Sequence, residues 1–173
     1  MLYAKELNQQ ECRDFLRTAN FGRIACARDN QPYLVPFNFA TDESDYIYAF
    51  ATLGQKIQWM RENPLVCVEM EDINNPDDWT TLVIFGRYEE LSEDAETVKL
   101  KDYAHELLAS RPMWWKPAYL AGAHREGLEE KPIYFRIKIE KITGHRVFSG
   151  DFGKLLGANK NAKRPKLKTR GLW

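Results

Sequence analysis

Apolar and polar positions along this chain repeat with two different periods, and each change of period marks an element. Over residues 8–19 the helical period places Cys12, Phe15, Leu16 and Ala19 on one face. Asn8 stands where an N-cap belongs, and Glu11 completes a capping-box pattern three residues later. Residues 22–28 and 33–40 are strand-like runs joined by Asp29-Asn30-Gln31, a hairpin turn by composition. A polar turn over 42–45 leads into a run containing Tyr46, Ile47, Tyr48 and Phe50. A helix is predicted over 55–61, ending before Pro64, then a strand over 66–71 and a loop over 73–78. Residues 80–90 form the clearest strand, with Leu82, Ile84 and Tyr88 punctuated by Gly86. Ser92 is placed as the cap of a long helix reaching residue 108, with Val98, Tyr103, Leu107 and Leu108 as its stripe. Residues 111–131 are irregular and aromatic, and 133–147 alternate as a final long strand.

Roughly six short strands with inserted helices predict a mainly β fold, an antiparallel barrel with peripheral helices. The alternation of a doubly wound sheet is missing, and no internal repeat is visible.

Composition agrees with one globular domain: the chain has 173 residues, 44% hydrophobic and 13% aromatic. The N-terminus has no apolar signal-like region, and no run is long enough to span a bilayer. Three scattered cysteines, Cys12, Cys26 and Cys67, form no CxxC pair, and Cys26 and Cys67 read as buried thiols. That usage suits a cytoplasmic protein without disulfides or zinc. The zero net charge hides an asymmetry. Residues 154–170 hold seven basic side chains and no acid, which leaves 18 of the 25 basic residues against 25 acids in the rest. Residues 1–150 are therefore read as the domain and 151–173 as a basic tail. That tail reads as a solvated arm or one docked on an acidic body. No recognition motif accompanies its cations, so nucleic acid is not the expected partner.

The chemistry concentrates at the strand-to-helix turn. Thr52 and Gly54 end an apolar run, and Lys56 falls in the first turn of the helix that follows. Unpaired helix N–H groups, the helix dipole and one cation converge there, as a phosphate requires. Asn38, between Phe37 and Phe39, is an amide that needs partners, from a ligand edge or from solvent. Pro36 lacks a ladder donor and predicts a sheet edge or bulge. Trp79, Trp114 and Trp115 are candidates to stack on a flat ring, or to pack at an interface. Arg23, opening the first strand, reads as a surface ion pair ahead of a support for the phosphate. The three histidines, His105, His124 and His145, have no metal-ligand spacing, so no metal is expected.

The segments GRIACARDNQPYLVPFNF, YIYAFATLGQKIQWMRENPLVCVEMED and DWTTLVIFGRYEEL resemble the FMN-binding split-barrel family of pyridoxamine 5′-phosphate oxidase and nitroimidazole-reductase-like proteins. The resemblance spans residues 7–147. It implies a six-stranded antiparallel split β-barrel, and a homodimer holding FMN in clefts at the subunit interface. It places the phosphate-binding segment on Phe50, Ala51, Thr52, Gln55 and Lys56. Contacts to the ribityl chain and ring fall on Pro36, Phe37, Asn38 and Phe39. Contacts from across the interface fall on Trp79, Thr80 and Thr81, with Arg146 as a cation near the flavin's electron-rich edge. The oxidases end in an Arg-x-His signature, whereas this chain reads ITGHRVFSGDF. The implied activity is thus FMN-dependent oxidation or reduction of a small molecule whose identity is unread. The alternatives are a non-catalytic flavin carrier or regulator, and the same barrel holding haem or a deazaflavin, with His124 or His145 as the available axial ligand.

Overall fold

The computed structural model describes residues 1–92, 97–111 and 132–150. Its elements are β1 (Leu2–Glu6), α1 (Gln9–Thr18), β2 (Phe21–Arg28), β3 (Gln31–Asn38), β4 (Ala40–Thr41), β5 (Tyr46–Ala51), α2 (Gln55–Glu62), β6 (Leu65–Asn75), β7 (Asp78–Glu90), α3 (Val98–Ala109) and β8 (Ile133–Ser149). The strands form one antiparallel sheet in the order β3-β2-β6-β7-β8-β5-β4, with β1 also on β8.

The shape of the sheet comes from β8. One edge of this 17-residue strand pairs with β7 along nearly its whole length. The other edge is shared: its first part pairs with β5, from Ala51↔Ile133 to Tyr46↔Lys138, and its last part with β1, from Glu6↔His145 to Leu2↔Ser149. Between the two, Asp45 accepts from Ile139 N–H at 2.9 Å, and Gly144 accepts from Leu7 N–H at 2.8 Å. One strand thus serves two partners, and the sheet divides there.

The main core lies inside the sheet, where Ile24, Val68, Leu82, Ile84 and Ile137 meet Ile57 and Met60 of α2 and Leu16 of α1. A second cluster lies on the other face of β5, where Tyr48, Ala40 and Tyr134 pack under Ala104 and Leu108 of α3. Strand β5 is therefore buried on both sides, which explains why its sequence shows no clean alternation.

Several expectations are met. Asn8 accepts from Glu11 N–H while the Glu11 side chain accepts from Asn8 N–H, a complete capping box. The β2–β3 turn is a tight two-residue loop: Asp29 and Asn30 both adopt positive φ, and Gln31 already belongs to β3. Others are corrected. Residues 73–78 are not a loop, because β6 runs to Asn75 and β7 starts at Asp78. The hairpin arm is exposed, so its ladder carries no apolar signal. Helix α3 begins at Val98 rather than at Ser92, whose carbonyl instead accepts from the Thr97 hydroxyl. The run over 33–40 breaks after Asn38, and Ala40–Thr41 forms a separate short strand. With β1 and β4, the described residues hold eight strands rather than six. Cys67 is half-buried rather than buried, because it faces outward from β6. Residues 112–131, with Trp114, Trp115 and His124, and the tail 151–173 lie outside the described residues.

Candidate functional site

Strand β5 ends at Ala51, and three residues later α2 begins. Gly54 is the N-cap, and no side chain caps the first turn. Its backbone is extended (φ −164°), and a Cβ added there would meet nothing within 4 Å. Neither strain nor crowding therefore calls for glycine. Its effect is to leave the helix start open and its N–H donors without a capping oxygen.

Lys56 follows in that first turn. It is half-buried, and among the described residues no carboxylate pairs with it. Burial holds its amine below the ordinary lysine range, an effect the neighbouring Cys26 thiol partly opposes. A cation taken out of water without a counter-ion is unstable in isolation. Lys56 and the open helix start together present one ammonium and a set of backbone N–H donors at a single turn. A phosphate group fits this donor set. Phe50 and Ala51, just before the turn, pair with Tyr134 and Ile133 of β8, and the Phe50 ring lies 5.5 Å from that of Tyr134.

Asn38 ends β3. By alternation it points to the outer face, with Leu34 and Pro36, away from the core rings Phe37 and Phe39. It is nevertheless only 4% exposed, so it does not face solvent, and among the described residues neither Oδ1 nor Nδ2 has a hydrogen-bond partner. A buried amide with both ends unsatisfied is costly and invites a ligand that donates and accepts along one edge. The edge of an isoalloxazine ring does both. Thr41 has the same character, buried with an unpartnered Oγ1. Sequence reasoning passed over it, because nothing in its local pattern separates it from a surface threonine. Pro36 lies on β3, at the end of the sheet order, as its missing donor predicts. The side chains of Phe37 and Phe39 are committed to the core, Phe37 pairs with Gly22 in the ladder, and Phe39 N–H donates to Asn20 O at 3.1 Å.

The remaining candidates lie elsewhere. Thr80 pairs with Arg146 and Thr81 with His145, near the end of β8, whereas Ala51 pairs with Ile133 at its start. At about 3.3 Å per residue, tens of ångströms of strand separate the two groups. Trp79 is partly buried, and Arg146 is exposed with its guanidinium 5.6 Å from the Phe148 ring. Arg23 is engaged by Glu69 and Glu71 at 3.1 and 3.0 Å, the surface ion pair expected of it. His105 Nδ1 is 2.6 Å from the Tyr134 hydroxyl, and His145 is exposed on β8. Among the described residues no group of His, Cys, Asp and Glu is arranged to hold a metal ion, and no helix is long and apolar enough to cross a membrane.

The pyridoxamine 5′-phosphate oxidase family model matches residues 8–146, and the chain belongs to that family. An uncharacterised protein of Rhizobium meliloti is 30% identical over 151 residues, covering 87% of this chain and 99% of that one. The crystal structure of a FAD-binding protein from Mesorhizobium loti superposes with a TM-score of 0.69 at 35% identity, covering 83% of this chain and 97% of that one. The FAD-binding protein of Mycobacterium smegmatis shares the fold, with a TM-score of 0.59 at 20% identity and coverage of 84% and 100%. The antiparallel sheet with peripheral helices is thus a family property.

Proposed function

We propose that this chain is a homodimeric FMN-binding oxidoreductase acting on a small molecule. The observation that carries the proposal is Lys56: a half-buried cation without an acid partner among the described residues, beside a helix start that has no capping side chain. Lys56 and the α2 N–H groups would hold the flavin's phosphate, with Thr52 and Gln55 at the same turn. Asn38 would hold the ring by its edge, and Pro36 would form part of the cleft wall. When bound, the flavin supplies the electron transfer, and the protein's part is to bind it, orient it and limit water around it. No protein acid or base is assigned to that transfer.

Two features support the dimer. The Lys56 and Trp79–Arg146 groups lie at opposite ends of β8, so a second copy is the simplest way to bring both to one ring. An apolar row also crosses the outer face of the sheet, from Leu34 through Ala25 and Cys67 to Phe85. Leu34 and Phe85 are 59% and 48% exposed, more apolar surface than isolated side chains need.

FAD is the second reading, favoured by the FAD-binding protein of Mesorhizobium loti at 35% identity. FMN and FAD both present a phosphate to Lys56 and differ beyond it. The test is the visible spectrum of the purified protein with the mass of its heat-released ligand. Flavin bands with an FMN mass support the proposal, and a FAD mass moves it to the second reading. A colourless protein that takes up neither overturns both. Bleaching of the bands by a reduced nicotinamide would establish the oxidoreductase part.

A further inference from the structure

The first turn of α2 carries the Lys56 amine and the open backbone donors, and no side-chain cap holds the helix at that end. With eight residues, about two turns, α2 is too short to hold its form without tertiary contacts. Ile57 and Met60 supply burial, which fixes depth more than direction. Directional contacts gather toward its C-terminal end: Arg28 of β2 donates to Glu62 at 3.3 Å, the C-cap Asn63 Nδ2 donates to Ala27 O at 2.9 Å, and the one bidentate contact is made by Arg61. Arg61 donates through Nε and Nη2 to the two carboxylate oxygens of Glu90 on β7, each at 2.7 Å. Tyr88 donates its hydroxyl to Glu90 Oε2, also at 2.7 Å, and Tyr88 N–H reaches back to Pro64 O at 2.8 Å. The Arg61 fork, helped by the Tyr88 hydroxyl, holds the Glu90 carboxyl below the usual carboxylate range. A bidentate guanidinium–carboxylate pair restrains orientation as well as distance. Rolling α2 by about 20° would break that fork and swing a long side chain on the first turn by about 2 Å.

We propose that Glu90 is a positioning residue for the anion site. By holding Arg61 it helps to set the roll of α2, beside the Arg28–Glu62 and Asn63–Ala27 contacts to β2, and so the direction of Lys56 and of the first helix N–H groups. The inference rests on the reading of that turn as the flavin's phosphate grip. Glu90 has no direct role with the ligand; it acts through the helix.

The test compares FMN with riboflavin, which has the same ring and no phosphate, titrated into flavin-free full-length protein. Wild type is expected to prefer FMN, and Lys56→Ala to remove most of that preference. Glu90→Gln keeps the side chain's shape and is expected to weaken FMN binding about tenfold while moving riboflavin less than about twofold. Arg61→Lys, which keeps the charge and loses the fork, should fall between. In the Lys56→Ala background Glu90→Gln should add no further loss for FMN, as two changes acting through one group require. If Glu90→Gln proves too unstable to titrate, Arg61→Lys and Tyr88→Phe make the same comparison. An unchanged FMN preference in the clamp variants, with Lys56→Ala still losing it, overturns the positioning role alone. Equal losses for both ligands reduce the clamp to general stability and overturn it too. A wild type that binds FMN no better than riboflavin overturns the clamp and the phosphate grip together.

Discussion

Thr80 and Arg146 stand opposite each other on β7 and β8, at the end of the sheet away from the Thr52–Lys56 turn. Within one chain, then, the Thr52–Lys56 turn and the Trp79–Arg146 group, both assigned to the flavin by the family resemblance, lie at opposite ends of β8. The division is as clear as the one in β8 itself, whose first part serves β5 and whose last part serves β1. The proposed two-fold dimer would resolve it, because each cleft would take Lys56 from one protomer and Trp79–Thr81 from the other.

Complementation between damaged subunits tests that arrangement. Lys56→Ala and Trp79→Ala are each expected to lose flavin as pure dimers. Mixed dimers then carry one intact site and one doubly damaged site. Random pairing of equal amounts makes about half of the dimers mixed, so about a quarter of all sites should regain flavin. Flavin absorbance per chain after co-refolding is the measurement. No recovery above the two parents would mean that both groups serve the same chain's site, or that one of them serves none.

Asn38 makes a prediction with opposite signs for stability and binding. Its amide is buried and unpartnered on both atoms, so the flavin-free fold carries that desolvation without return. Replacing it with leucine, which keeps the branched outline at a larger volume and removes both polar atoms, should leave the flavin-free protein as stable or raise its melting point by a few degrees. The same change should weaken flavin binding by roughly tenfold, through loss of about 1–1.5 kcal/mol of edge hydrogen bonds. Thermal melts and flavin titration of one preparation give both numbers. A variant that melts lower and binds as before would make Asn38 a structural residue.

Legibility from sequence followed the strength of local physical signals. The capping box of Asn8 and Glu11, the turn at Asp29-Asn30 and the stop before Pro64 are interactions within a few residues, and each was readable in advance. Strand β1 was missed because it is half-exposed and gains its order from β8, more than a hundred residues away. The end of β6 was missed for a related reason: Glu71 to Asn75 are exposed, and the ladder to β7 leaves no trace in hydrophobic pattern. At the site, Lys56 was legible because helix start, glycine and lysine are contiguous. The burial of Asn38 on an outward face was not, since alternation alone would send it to solvent. The Arg61–Glu90–Tyr88 clamp was invisible, because its partners lie 29 residues apart and any surface arginine looks alike in sequence.

The lowered pKa of Lys56 predicts a pH dependence with a definite sign. Burial depresses it from the ordinary value of 10.5, so between the folded and unfolded pKa values the unfolded chain binds more protons. Flavin-free protein should therefore gain stability as pH rises through that window, with the gain complete near 10.5. Below the window both states are protonated and the penalty is constant. Lys56→Met should abolish the slope and raise the melting point at neutral pH by a few degrees. FMN, which stabilises the ammonium form, should flatten the slope in wild type. Melting curves from neutral to alkaline pH decide the matter, and parallel profiles for wild type and Lys56→Met would remove Lys56 as their source.

Gly54 offers the sharpest separation of fold from function. Its extended backbone suits any residue, and a Cβ there has open space, so Gly54→Asp brings neither strain nor a clash. Aspartate at an N-cap accepts from the first-turn N–H groups and complements the helix dipole, which should stabilise the flavin-free protein by about 0.5 kcal/mol. Those are the donors the phosphate would use, and the carboxylate would repel it as well. The variant is expected to melt at or slightly above wild type and yet lose FMN affinity by at least about a hundredfold, with riboflavin much less affected. Gly54→Ala, which adds a methyl group and no competing oxygen, should bind FMN nearly as wild type does. Binding by Gly54→Asp at wild-type strength would mean that the phosphate, if the chain binds one, does not rest on the start of α2.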